Sequence, residues 1–96
     1  LNRRYNEEID QYEERLDELE VAFNFLCDEI KAAAHRKLDA LPKSDRLGRG
    51  QVLAEEKKEL DRVLGELRTS IHKNGRDMRN ALEKIQAEKD AMTADA

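Results

Sequence analysis

An all-α fold, a long antiparallel helical hairpin of coiled-coil type, follows from three observations on this 96-residue chain. Apolar residues recur alternately four and three positions apart over most of each half, the signature of a seam facing a partner helix. The pattern is interrupted clearly once, around Pro42 and Gly48-Arg49-Gly50. Glu, Leu, Ala, Lys and Arg are abundant, so intrinsic propensity agrees with the periodicity. One Pro, four Gly, four aromatics and one Cys exclude collagen, a disulfide-stapled miniprotein and an ordinary β-sandwich.

The first element is expected as a helix over about 2–41. Tyr5, Ile9, Tyr12, Leu16, Leu19, Phe23, Leu26, Ile30 and Ala33 form its seam, which then slips to Ala34, Leu38 and Leu41 as a stutter. Pro42 pushes the preceding residue out of the α region and stops the helix. Residues 42–50, PKSDRLGRG, are expected as the reversing loop, with Ser44 or Asp45 able to cap a short turn.

The second element is expected as a helix over about 51–92, followed by a frayed tail at 93–96. Its best seam runs Leu53, Lys57, Leu60, Leu64, Leu67, Ile71, Asn74, Met78, Ala81, Ile85, Glu88 and Met92. Asn74-Gly75 reads locally as a helix stop, giving a three-helix bundle as the alternative with a break at 74–76. The unbroken heptad phase on either side favours one continuous helix. Folded about the loop, Leu38 is expected opposite Leu53, Ile30 opposite Leu60, Phe23 opposite Leu67, and Leu16 opposite Asn74-Gly75, where the missing side chain would make room for Leu16 or Tyr12. The two helices together are expected to form a single helical domain over 1–96, about 60 Å long at 1.5 Å per residue.

Charge supports the same alignment. Residues 7–20 hold eight acids against Arg15, while 73–89 hold five bases against three acids, so the blocks are expected side by side. The net charge of -4 argues against nucleic acid or an anionic membrane as partner. A basic loop (Lys43, Arg46, Arg49) is the feature a nucleic acid would use, although acids interleave the neighbouring bases and no aromatic is available for stacking.

A search for chemistry finds none, and no enzyme, metal, cofactor or small-molecule substrate is expected. His35 and His72 lack a second ligand at helical spacing and read as solvated. Cys27 sits among apolar neighbours beside Asp28 and Glu29, the setting of a buried small hydrophobe rather than of a reactive thiolate. The many carboxylates lie off the apolar stripe. Glu66-Leu67-Arg68-Thr69-Ser70-Ile71 resembles, over six positions, the phosphoacceptor box of sensor histidine kinases, helices of a dimeric four-helix bundle. Gly65 stands where that box has its histidine, so the resemblance implies no phosphotransfer here. The long helices joined at Leu41-Pro42-Lys43-Ser44 are also similar, in architecture alone, to the regulatory N-terminal bundles of vesicle SNARE proteins.

The remaining expectation is association. Val21, Ala22, Phe23, Phe25 and Leu26 make the first helix apolar nearly all round, and a helix apolar on several faces expects neighbours on several faces. Val21, Ala22, Phe23, Phe25, Leu26, Ile30, Ala33 and Ala34 are the expected interface, with a second copy giving a dimeric four-helix bundle or with another helical protein. A scaffold-like oligomerisation module is thus the leading function. A regulatory helical domain is the alternative, on the polar seam residues Lys57, Asn74 and Glu88. The unpaired cysteine suggests a reducing, cytoplasmic setting, and the start at Leu1 is what a piece of a longer protein would show.

Overall fold

A computed structural model describes residues 2–94. It contains two helices, α1 (Asn2–Asp39) and α2 (Arg46–Ala94), and no strand among the described residues. α1 ends with Arg36 and Lys37 in its last turn, where cations complement the helix dipole. α2 passes through Asn74-Gly75 without a break and includes Thr93 and Ala94, the first two positions of the expected tail; residues 95–96 lie outside the described part.

The loop is shorter than the glycines suggested. α2 begins at Arg46, not at residue 51, because Asp45 caps it. The Asp45 Oδ1 accepts the Gly48 amide at 2.9 Å, and the Asp45 carbonyl accepts the Arg49 amide at 3.0 Å as the first helical bond. A Cβ on Gly48 would run into that capping carboxylate, with Cγ only 2.9 Å away. Gly48 and Gly50 therefore sit inside the helix, and no glycine among the described residues takes a positive φ. Arg49 closes the other side of the turn by donating to the Leu38 carbonyl at 3.0 Å, filling one acceptor that the end of α1 would leave orphaned.

The chain packs as two compact units, each containing a stretch of both helices. The loop unit is Glu20–Arg68. In it α1 turns Phe23, Cys27, Ile30, Ala33, Ala34 and Leu38 inward, and α2 turns Val52, Glu56, Leu60, Val63 and Leu67 inward. Ala34 and Val63 are its most buried apolar residues, at 5% and 3% exposure. The terminal unit, made from residues up to 19 and from 69 on, packs Ile9, Tyr12, Leu16 and Leu19 against Ser70, Asn74, Met78, Ala81 and Ile85.

Several seam expectations are corrected. Leu26 at 45% and Leu53 at 52% are exposed in the loop unit, and Tyr5, Ile71 and Met92 are exposed in the terminal unit. Lys57 and Glu88 are solvated, leaving Asn74 as the buried polar residue. At Val52, Glu56, Val63 and Ser70 the inward edge of α2 falls one residue earlier than the seam read from sequence, while Leu60 and Leu67 keep their expected places. The adjacent pairs Val52/Leu53 and Val63/Leu64 make an apolar arc too wide for periodicity to centre. Shifting it also spares the Lys57 ammonium from desolvation.

In the terminal unit Asn74 bonds the Tyr12 carbonyl and shares a groove with Arg15, Glu18 and Leu19, so it lies against the stretch of α1 that holds Tyr12 and Leu16. Gly75 makes room for neither, since nothing lies within 4 Å of where its Cβ would be. The charge blocks come side by side at Glu18 and Lys73, which line one groove, but among the described residues no ion pair joins them. Among the described residues the ion pair crossing between helices is Arg4–Glu88, with the base on α1 and the acid on α2. Arg3–Glu7, His35–Asp39 and the Arg62 pairs with Glu59 and Glu66 all stay within one helix. Exposed pairs are worth only about 0–1 kcal/mol, too little to impose an alignment on packed side chains.

Candidate interaction surface

The expected interface residues fall into two sets in the loop unit. Phe23, Ile30 and Ala33 are half-buried and Ala34 is buried, because they face α2. Val21 (70%), Phe25 (64%), Leu26 (45%) and Ala22 look outward. Of the eight large apolar side chains left exposed among the described residues, five belong to this unit: Val21, Phe25, Leu26, Leu47 and Leu53. The last two come from α2, and sequence periodicity assigned Leu47 to a loop and Leu53 to the seam.

Beside Leu26 a groove of about 300 Å³ opens between the helices. Leu26, Ile30, Ala33, Ala34, Val52 and Val63 supply apolar walls, and the alanines keep it wide. Its margins are charged: Glu29 and Lys37 come from α1, and Glu55, Glu56, Glu59 and Arg62 come from α2. Arg62 is held by Glu59 at 3.0 Å and by Glu66 at 2.8 Å. The hydrogen bond and the charge of Glu59, then Glu66, raise its guanidinium above the ordinary value, so it is a fixed cation at the groove margin. On the opposite flank a second groove of about 530 Å³ brings Phe23 and Cys27 beside Leu60 and Leu64. The Cys27 thiol is half-buried there, less enclosed than a core residue.

The terminal unit offers a different feature. Asn74, 7% exposed, donates from Nδ2 to the Tyr12 carbonyl at 3.3 Å, while its Oδ1 is buried without a partner. Arg15, Glu18, Lys73 and Asp77 line the groove around it. Sequence reading marked Asn74 as a polar seam residue, but only the packing singles it out from Lys57 and Glu88.

His35 is exposed and lies 3.3 Å from Asp39, and His72 is exposed. Among the described residues no group of three or more His, Cys, Asp or Glu is placed to hold a metal ion, and no carboxylate is buried. No helix is long and apolar enough to cross a membrane. What the arrangement presents is therefore a pair of amphipathic helices with apolar residues to spare and charged margins on one flank.

No curated protein and no solved structure significantly matches the chain. The sequence profile of the outer dense fiber protein 2 N-terminal domain matches residues 8–96, nearly its whole length, and the chain belongs to that family.

Proposed function

We propose that this domain is a non-enzymatic coiled-coil module that associates with a second copy of itself, in keeping with a family named for a fibre protein. The observation that carries the reading is the concentration of exposed apolar side chains in the loop unit, centred on Val21, Phe25 and Leu26. Large aromatic side chains left in water at the centre of an apolar patch are the usual anchors of protein contacts. Ala22 permits close approach beside them, while Phe23, Ile30, Ala33 and Ala34 face α2 within the hairpin. The unpaired Cys27 fits a cytoplasmic, reducing address. Another helical protein docking on the same patch is the competing occupant.

The test is solution mass by sedimentation equilibrium at high micromolar concentration. The wild type is expected as a dimer, and Phe25→Asp as a monomer of unchanged helicity by circular dichroism. A wild type that stays monomeric overturns self-association, and a Phe25→Asp variant that keeps its dimer mass removes Phe25 from the contact.

A regulatory reading has one specific observation in its favour, the orphaned Oδ1 of Asn74. A buried unsatisfied acceptor lowers local stability, and hydrogen exchange around residues 70–78 that opens far below the global limit would favour a switch over a static scaffold.

A further inference from the structure

The Asn74 groove takes one flank of the terminal unit, with Arg15, Glu18, Ser70, Lys73 and Asp77 around it. Helical spacing puts three rows of a different kind on the other flank. On α1 the row is Asp10, Glu13 and Asp17, all exposed. On α2 it is Ile71, Gly75, Met78 and Leu82, an apolar row in which Ile71 is exposed and the rest are half-buried. Further round α2, on the side away from α1, come the exposed His72, Arg76 and Arg79. Each row carries one sign of charge or none. Arg15, Lys73 and Asp77, which would break the pattern, line the opposite groove. Arg3, beyond the end of the acid row, is 3.6 Å from Glu7. Among the described residues no ion pair engages Asp10, Glu13, Asp17, Arg76 or Arg79. Nothing lies within 4 Å of where a Cβ on Gly75 would sit, so the apolar row is notched where another helix could come close.

We infer that this flank is a second self-contact, separate from the loop-unit patch, in which the terminal units of two copies meet with their α2 helices side by side and parallel. A two-fold axis running along the helices lays apolar row on apolar row. Each α1 then lies over the outer side of the other copy's α2, so its acids face the bases there. Symmetry fixes the register, because equal residues of the two α2 helices come level. Asn74 lies against the stretch of α1 around Tyr12, so Asp10 and Glu13 come level with Arg79 and Arg76 of the other copy, and Asp17 with His72. The spacings agree, three then four on both helices. Turning one copy end for end also joins the apolar rows, but it sets acids on acids and bases beside bases. Since each row holds a single sign, no slip within the unit relieves that repulsion. The contact is weaker than the loop-unit one, because it covers one exposed apolar side chain and three half-buried residues. It joins chains only above the concentrations at which the loop units pair.

Disulfide trapping tests the arrangement, because it captures weak contacts and reports which residues meet. In a Cys27→Ser chain, Gly75→Cys puts two thiols across the axis, where paired helices approach closely enough for a disulfide, and circular dichroism checks that helicity is unchanged. Under copper-catalysed air oxidation, Gly75→Cys is expected to give covalent dimers about tenfold faster than Asn80→Cys, an exposed control one heptad on from Lys73. Adding Arg79→Glu is expected to slow Gly75→Cys trapping about tenfold, and adding Asp10→Arg as well to return it to within about threefold. Equal rates for Gly75→Cys and Asn80→Cys overturn the contact, and are what a basic helix of another protein on this flank would give. An Arg79→Glu effect that Asp10→Arg does not reverse overturns the parallel orientation. Repeating the series with Phe25→Asp separates the two contacts: trapping is expected to persist, and its loss overturns a contact that stands apart from the loop unit. A wild type that is monomeric by sedimentation overturns the loop-unit reading alone.

Discussion

Asn74 shows how one side chain can oppose the fold it specifies. Its Nδ2 makes a single long bond to the Tyr12 carbonyl, and its Oδ1 makes none. A neutral hydrogen bond contributes about 1 kcal/mol, whereas a buried unsatisfied acceptor costs about 1–3 kcal/mol, so the residue is a net loss to stability. The return is specificity. A polar seam residue that keeps one bond in this register and loses it in the others disfavours slipped pairings, as a single buried asparagine does in coiled coils. Asn74→Leu is therefore expected to raise the free energy of unfolding by about 1 kcal/mol in urea titrations. A fall of similar size would mean that Oδ1 is satisfied in solution. Gly75 next to it has no such role. Nothing occupies the space its Cβ would take, so Gly75→Ala is expected to add about 0.5–1 kcal/mol and a few degrees to the melting temperature.

At the scale of the element, the start of α2 depends on Asp45. Residues 48–50 include two glycines in the first helical turns, each about 1 kcal/mol worse than alanine, and the cap holds that turn together. Asp45→Ala is expected to destabilise the domain by about 1 kcal/mol, with amide exchange accelerated first at Gly48 and Arg49. Unchanged exchange there would show that Arg49, through the Leu38 carbonyl, holds the turn without the cap. This element also shows where sequence reading succeeds and fails. α1 places close to one apolar residue per turn inward over most of its length, so its periodicity gives the seam closely, with Leu26 and Cys27 exchanged. α2 sets Val52 next to Leu53 and Val63 next to Leu64, and the wide arc they make has no unique centre until a partner helix chooses one. The glycines misled for a related reason: propensity is local and weak, and a capping carboxylate four residues downstream of Leu41 outweighs it. Half of the proposed contact was legible, because Val21, Phe25 and Leu26 exceed what one seam can bury. Glu55 and Arg62 looked like ordinary solvated surface, and only the groove beside Leu26 shows that they share a flank with it.

For the molecule as a whole, burial sets the terms of stability. Among the described residues three apolar side chains fall in the buried class, Ala34, Val63 and Ile85, and none of the large ones is fully enclosed. Burying apolar surface contributes about 25 cal/mol per Å², while ordering a residue costs about 1–2 kcal/mol. A lone hairpin with so small a core has little stability to spare, and the exposed apolar residues of the loop unit are the reserve that a second copy would draw on. Association then adds to the stability of a hairpin that folds by itself, and melting becomes concentration-dependent. For a dimer of chains this size, a tenfold rise in protein concentration is expected to lift the melting temperature by about 4 °C. The slope should vanish in Phe25→Asp, whose melting temperature should also fall below that of the dilute wild type. Scanning calorimetry across two decades of concentration separates the cases. A wild type whose transition does not move with concentration folds as an independent hairpin, and its exposed apolar face is then available to a different partner.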